Sequence, residues 1–304
     1  MNRAATQPRK ETRMQGIRKL GKVQDNLVEV SPFVLKGELL LFESVRPDTP
    51  DNTHGGRHYL RIRRMPEGAR DVTGPDEFAA CPVLTEFAEE FTFGVPFVWS
   101  NEVFIYASLG NKPKVDDIHV FHSRDMKRWK HAVAVRGVDE QLFYSSVCRA
   151  GDRFIMAYES NFSAGWVPFT NRFAESTDLV HWTPLPTDKA IHGSDRYCAC
   201  PTLRYIDGTF VIVCLEMPHR GAWWFEEFAA TSKDLWNWTM SPANPILAPP
   251  DDRSENINNS DIDFCGFGGK TIIYYSWGSQ RGDEHLAHAV YDGPEEAFLR
   301  AMVG

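Results

Sequence analysis

The sequence predicts an all-β fold, a five-bladed β-propeller. Three observations carry this reading: five evenly spaced hairpins, three copies of one turn motif, and strands that are apolar along nearly their whole length. The composition allows it. Of 304 residues, 42% are hydrophobic and 24% charged, which is ample for a large buried core and far from the composition of a disordered chain.

The hairpins define the blades in chain order. Ser31 to Leu35 turns through Lys36-Gly37-Glu38 into Leu39 to Glu43, and Val95 to Trp99 turns through Ser100-Asn101-Glu102 into Val103 to Ala107. The same pattern recurs at 145–149 with 154–159, at 202–205 with 210–216, and at 261–266 with 271–276. β-branched and aromatic runs bounded by Gly, Asn or Asp are the expected signature of strands joined by tight turns. The turn residues Gly37, Asn101, Gly151, Gly208 and Gly269 span 232 residues in four steps, a mean of 58, so five such units use up the chain. Radial packing buries both faces of each sheet, which accounts for strands that do not alternate with polar residues. A β-sandwich, the competing architecture, needs no such repeat.

The turn motif is Ser-x-Asp-(Leu/Met)-x-x-Trp, at Ser123 to Trp129, Ser176 to Trp182 and Ser232 to Trp238. The Ser and Asp side chains suit an Asx-type turn on backbone amides, and the Trp suits the apolar edge of a neighbouring strand, so the motif is read as scaffold. At the ends, Val23 to Val30 is expected to pair with the last blade and close the ring, and Phe298 to Val303 to form a short helix. Residues 1–22 hold seven Lys or Arg against one Glu, a basic leader on a body of net charge −14. The expected division is therefore a leader, 1–22, and one propeller domain, 23–304.

An acidic body is a poor binder of nucleic-acid backbone. No apolar run reaches the roughly 18 residues of a membrane span, and no secretory signal opens the chain, so a cytoplasmic protein is expected, partnered by neither nucleic acid nor membrane. The six cysteines show no Cys-x-x-Cys pair or adjacent zinc spacing and are read as buried thiols. Oligomeric state is left open.

With these hairpins and turns, residues 28–300 resemble the five-bladed propeller glycoside hydrolases, a group that includes the arabinanase and β-xylosidase, fructan-hydrolase and neoagaro-oligosaccharide hydrolase families. The run Asn256 to Asp263, with Gly269-Lys270-Thr271 and Gly278-Ser279-Gln280, is similar to the last of these branches. The resemblance implies a glycosidase for a small oligosaccharide or glycoside, acting with inversion; exo-action is expected if the inter-blade loops Asn161 to Thr170 and His219 to Glu226 block one end of the funnel. One departure matters: the Asp-Pro pair that opens the first blade of the arabinanase-like families, and supplies their general base, is here Ser31-Pro32.

In a propeller, starts of innermost strands and ends of second strands converge on one funnel, where glycoside hydrolysis needs one protonated and one ionised carboxyl group. The expected catalytic set is Glu159 and Glu216, which end apolar second strands, with Asp261 and Asp263, whose spacing places both on one face of an extended strand. Glu43 holds the matching place in the first blade; for all three glutamates the alternative is a salt bridge tying blades together, for instance with Arg46, Arg61 or Arg172, and for Glu43 that alternative is preferred. Substrate contacts are expected from Glu43, Arg57, His58, Arg61, Tyr144, Tyr197, Trp223, Trp224, Asn259 and Gln280, with Trp166 and Phe169 also available. No cofactor is required by this reading. His285, and likewise His219 and His58, are alternative acids by resemblance, and His285 is also the candidate ligand for a divalent cation such as calcium in the central channel. Two rivals stay open: a propeller that binds glycan or protein without chemistry, and a propeller lyase or phosphorylase.

Overall fold

The computed structural model describes residues 14–66, 74–110, 116–162, 167, 169–218 and 223–304. His219 and Trp166 lie outside them. Five antiparallel sheets stand around a central channel, and each begins with the hairpin read from the sequence. Blade 1 is β2 (Val30–Leu35), β3 (Glu38–Val45), β4 (Tyr59–Arg64) and β5 (Val83–Phe87). Blade 2 is β6 (Phe91–Trp99), β7 (Glu102–Leu109), β8 (Asp117–Ser123) and β9 (Lys130–Arg136). Blade 3 holds β10 (Glu140–Ala150), β11 (Arg153–Phe162), β12 (Thr170–Ser176) and β13 (Thr183–Pro184), with β14 (Ile191–His192) also paired to β12. Blade 4 is β15 (Cys198–Ile206), β16 (Thr209–Glu216), β17 (Glu226–Ser232) and β18 (Thr239–Met240).

Blade 5 draws on both ends of the chain. Strands β19 (Asn258–Phe267), β20 (Lys270–Gly278) and β21 (Glu284–Tyr291) are completed by β1 (Ile17–Asp25), which pairs antiparallel with β21 and so closes the ring. The closing strand lies earlier than the expected Val23 to Val30. It is anchored by Lys19, whose ammonium donates to Asn259 Oδ1 at 2.7 Å and to Glu255 Oε2 at 2.5 Å. The terminal helix α2 (Glu295–Val303) is present, and a short helix α1 (Pro75–Ala80) was not foreseen. Buried apolar residues form five main clusters, each shared by two neighbouring blades; Phe298, Leu299 and Met302 of α2 join the one between blades 4 and 5. The closed ring is thus held by burial between sheets, the largest favourable contribution available to such a fold.

The Ser-x-Asp motif works as the sequence suggests. In blade 3, Asp178 Oδ1 accepts from the backbone N–H groups of Val180 and His181 at 2.9 and 2.8 Å, and Ser176 Oγ accepts from Leu179 N at 3.0 Å. Leu179 takes φ 67°, and the Trp182 indole donates to its carbonyl. The turns at Asp125 and Asp234 repeat the Ser and Asp contacts, and the Asp234 turn repeats the indole bond as well, whereas the Trp129 indole N–H is buried without a partner. Burial alone would raise the Asp178 pKa, but the hydrogen bonds from His181, Val180 and Ser176 outweigh it and pull it to about 2. Its stabilisation is therefore present above the unfolded value of 3.8 and fades as pH falls from there towards 2. Asp178→Ala is expected to cost about 1 kcal/mol, as loss of a cap does, and to flatten the acid side of the stability curve. Unchanged thermal and acid midpoints would show that the turn does not depend on this carboxylate.

Candidate active site

Four of the five innermost channel strands share one irregularity. Glu29, Phe93, Cys200 and Asp261 each stand six residues before the last residue of β2, β6, β15 and β19, and all four have φ between 48° and 56°. In β6, β15 and β19 the pairing register slips at this point, at Thr92/Val95, Ala199/Thr202 and Ser260/Asp263. A β-bulge re-aims the side chain it carries. Here it turns one residue per blade into a cavity of about 240 Å³ at the mouth where the inner strands begin.

The cavity has an acidic and an aromatic side. Glu29, Glu159, Asp261 and Glu284 line it with Arg46, Cys200 and Gln280. A line of rings also borders it: Phe93 to Phe143 at 5.9 Å between centroids, Phe143 to Phe169 at 5.3 Å, Phe169 to Tyr197 at 5.2 Å, and Tyr197 to Phe225 at 5.2 Å. Exposed Trp223 extends it outward, 6.1 Å from Tyr197. Such a surface suits the C–H face of a sugar, and the carboxylates suit its hydroxyls.

Cys200 ties two carboxylates together. Its backbone N–H donates to Glu159 Oε1, and its thiol donates to Asp261 Oδ1 at 2.8 Å. Ser260 Oγ donates to the other Asp261 oxygen at 2.7 Å, and Gln280 Nε2 donates to Ser260 Oγ. Burial pushes the Glu159 pKa up to about 8; the Cys200 hydrogen bonds pull against this, while the nearby Asp261 and Glu29 charges add to it. Glu29 is also raised by burial, with Arg46 opposing. Arg46 spans Glu29 at 2.6 Å and Glu284 at 2.7 Å, and leaves Glu29 Oε2 buried without a partner. Behind this layer Glu227 is fully buried, accepts from Ile262 N at 3.1 Å, and is driven well above the usual carboxylate range by burial.

Of the residues expected at the site, Glu159, Asp261, Tyr197 and Gln280 meet in this cavity, Phe169 joins them, and Trp223 stands beside it. Tyr144 is buried in the channel, its hydroxyl 3.4 Å from Ser31 Oγ. His58 is half-buried near Arg46, with Nδ1 unpartnered and its pKa lowered by burial first and by Arg46 second.

The other expected residues are elsewhere. Asp263 does not share a face with Asp261: the bulge between them reverses the alternation, and Asp263 points towards the opposite mouth, where Arg204 binds it at 2.7 Å. Glu216 faces the seam between blades 3 and 4 and pairs with Arg196 at 2.9 Å. Glu43 and Arg61 belong to a buried network in blade 1, in which Glu43 binds Arg61 at 2.5 Å and Arg63 at 2.9 Å. Arg57 is on the surface with Glu89, 2.7 Å away. The indole of half-buried Trp224 donates to Glu226, and Asn259 is spent on Lys19 and Glu255. His285 lies at the seam of β1 and β21, with both ring nitrogens on carboxylates, Asp25 at 2.6 Å and Asp283 at 2.8 Å, so it is not a channel ligand.

Glu29, Arg46, Glu284 and Cys200 also line the cavity, although sequence reasoning does not place them there. For Glu29 a signal existed: it is the carboxylate that precedes the first inner strand, two residues before the Ser31 that replaces the expected base.

No family model matches the chain, and no curated protein is similar to it in sequence. Solved structures are similar in fold. A glycosyl hydrolase from Bacteroides ovatus superposes with a TM-score of 0.64 at 15% identity, over 88% of this chain and 84% of that one. A thermostable family-43 glycoside hydrolase gives 0.61 at 13%, over 87% and 89%. An α-L-arabinofuranosidase from Fusarium graminearum, solved with an iminosugar inhibitor, gives 0.61 at 12%, over 90% and 97%. At such identities the likeness concerns architecture: the chain has the five-bladed propeller fold of these glycoside hydrolases.

Proposed function

We propose that the protein hydrolyses a glycosidic bond in a small carbohydrate, with Glu159 as general acid and Asp261 as general base. One observation carries the reading: Cys200 holds both carboxylates in a single funnel cavity, and Glu159, with its pKa near 8, keeps its proton at neutral pH. Glu159 donates that proton to the leaving oxygen. Asp261, hydrogen-bonded on both oxygens, takes a proton from the attacking water. Because the water attacks the face away from the leaving group, the anomeric configuration inverts.

Arg46 fixes Glu29 and Glu284 beside the reacting centre, and the unpartnered Glu29 Oε2 is the natural acceptor for a sugar hydroxyl. A cavity of about 240 Å³ is at the small end of ligand sites and suits one terminal sugar ring, hence exo-action. The scheme uses no cofactor, and a cytoplasmic setting belongs to this proposal. The test is a panel of nitrophenyl glycosides and short oligosaccharides assayed by sugar release, with proton NMR of the first-formed anomer. Release with inversion supports the proposal; retention would replace Asp261's role with that of a nucleophile. Tight oligosaccharide binding without release would favour the non-catalytic reading.

A further inference from the structure

The sequence shows no zinc spacing, yet folding brings three soft ligands together at the seam of blades 3 and 4. A ring nitrogen of His192 and the sulfurs of Cys198 and Cys214 all lie within 4.8 Å of one another, and all three residues are buried. They come from three strands, β14, β15 and β16, so no linear motif announces them. This is the one such group among the described residues, and the funnel chemistry does not use it.

We propose that His192, Cys198 and Cys214 form a structural zinc site that pins blade 3 to blade 4. Two thiolates and an imidazole are the donor set of a d¹⁰ ion, and two thiolates neutralise a divalent cation, which a site this deeply buried requires. A tetrahedral zinc with sulfur at about 2.3 Å holds its ligand atoms roughly 3.5–3.8 Å apart, so the group needs to close by at most about an ångström.

Three independent features support an ion here. Asn171, fully buried on β12 opposite His192, reaches both sulfurs with Nδ2 at 3.4 Å, yet its amide oxygen has no partner. Gly193 lets the His192 loop sit directly on Cys198: with φ 75°, a Cβ there would stand 2.5 Å from Cys198 Cβ and 2.9 Å from its sulfur. Glu216 Oε1, 3.9 Å from Cys198 Sγ, is available as a fourth ligand, its extra charge already matched by Arg196 at 2.9 Å. A way in exists, since His192 also lines a surface cavity of about 400 Å³ with Arg196, Trp236, Trp238 and Met240.

The experiment uses the full chain, stripped with chelator and then loaded with Zn²⁺ or Co²⁺. The expected result is one zinc retained per chain through gel filtration, and thiolate-to-cobalt charge transfer with the d–d bands of a tetrahedral site. Free zinc at a hundredfold over its dissociation constant is expected to raise the thermal midpoint by roughly 4 °C. Cys214→Ser should abolish all three signals, whereas Cys148→Ser, a buried thiol of the same seam outside the group, should keep them. The cobalt spectrum of the unaltered protein needs no variant to fold. Its absence, or stoichiometric zinc retention undiminished in folded Cys214→Ser, overturns the proposal.

Discussion

Glu159→Gln is expected to lower turnover of an oligosaccharide by about 10²–10⁴-fold, the usual worth of a general acid. The loss should be much smaller on a nitrophenyl glycoside, whose leaving group departs as a stable anion and needs little proton donation. The unaltered enzyme should lose activity as pH rises through about 8, where Glu159 gives up its proton, and the variant should lack that limb. Stability carries the same signature. The folded protein keeps this proton up to about pH 8, while the unfolded chain releases it near 4.5, so the contribution of Glu159 to stability declines as pH climbs between those values. The glutamine variant should lose that decline. Equal losses on both substrate types, with the alkaline limb intact, would remove Glu159 from the role of acid.

Glu43→Gln should instead act on stability. Glu43 is fully buried against Arg61 and Arg63, each 1% exposed, and among the described residues the two guanidiniums share one other carboxylate, Asp51, at 2.9 and 2.7 Å. Removing one member of a buried charge network leaves the rest uncompensated, a cost of about 3–5 kcal/mol. For a chain of this length that is a fall in thermal midpoint of roughly 5–10 °C, measured by calorimetry. Sugar release per folded molecule should be unchanged. A variant with an unaltered midpoint and no activity would move Glu43 from scaffold to catalysis.

These two glutamates show what could be read from the sequence and what could not. Both follow apolar runs on second strands, at similar levels of their blades, so position alone treats them alike. What separates them is the third strand: β4 sets Arg61 directly opposite Glu43, whereas β12 sets Asn171 opposite Glu159 and leaves it without a cation. The ring itself was legible, because hairpin turns and Ser-x-Asp turns are local chemistry repeated at a constant interval. The funnel floor was not. Strand periodicity assumes strict alternation, and the bulges at Cys200 and Asp261 break it with left-handed residues, a conformation that neither Glu29, Phe93 nor Cys200 advertises by residue type. Strict alternation therefore puts Asp263 on one face with Asp261 and gives no sign of Glu29 beside Ser31. The zinc ligands were hidden for a related reason: β14 is a two-residue strand whose place is set by pairing to β12, not by its own sequence.

Glu159 and Asp261, and not the other acidic residues read from the sequence, are expected to carry the chemistry. The most direct measurement compares Glu159→Gln, Asp261→Asn, Glu216→Gln and Asp263→Asn as folded proteins on one oligosaccharide that the unaltered enzyme cleaves. Release should collapse in the first two and persist in the last two. Full activity in Glu159→Gln or Asp261→Asn, or equal collapse in all four, would contradict it.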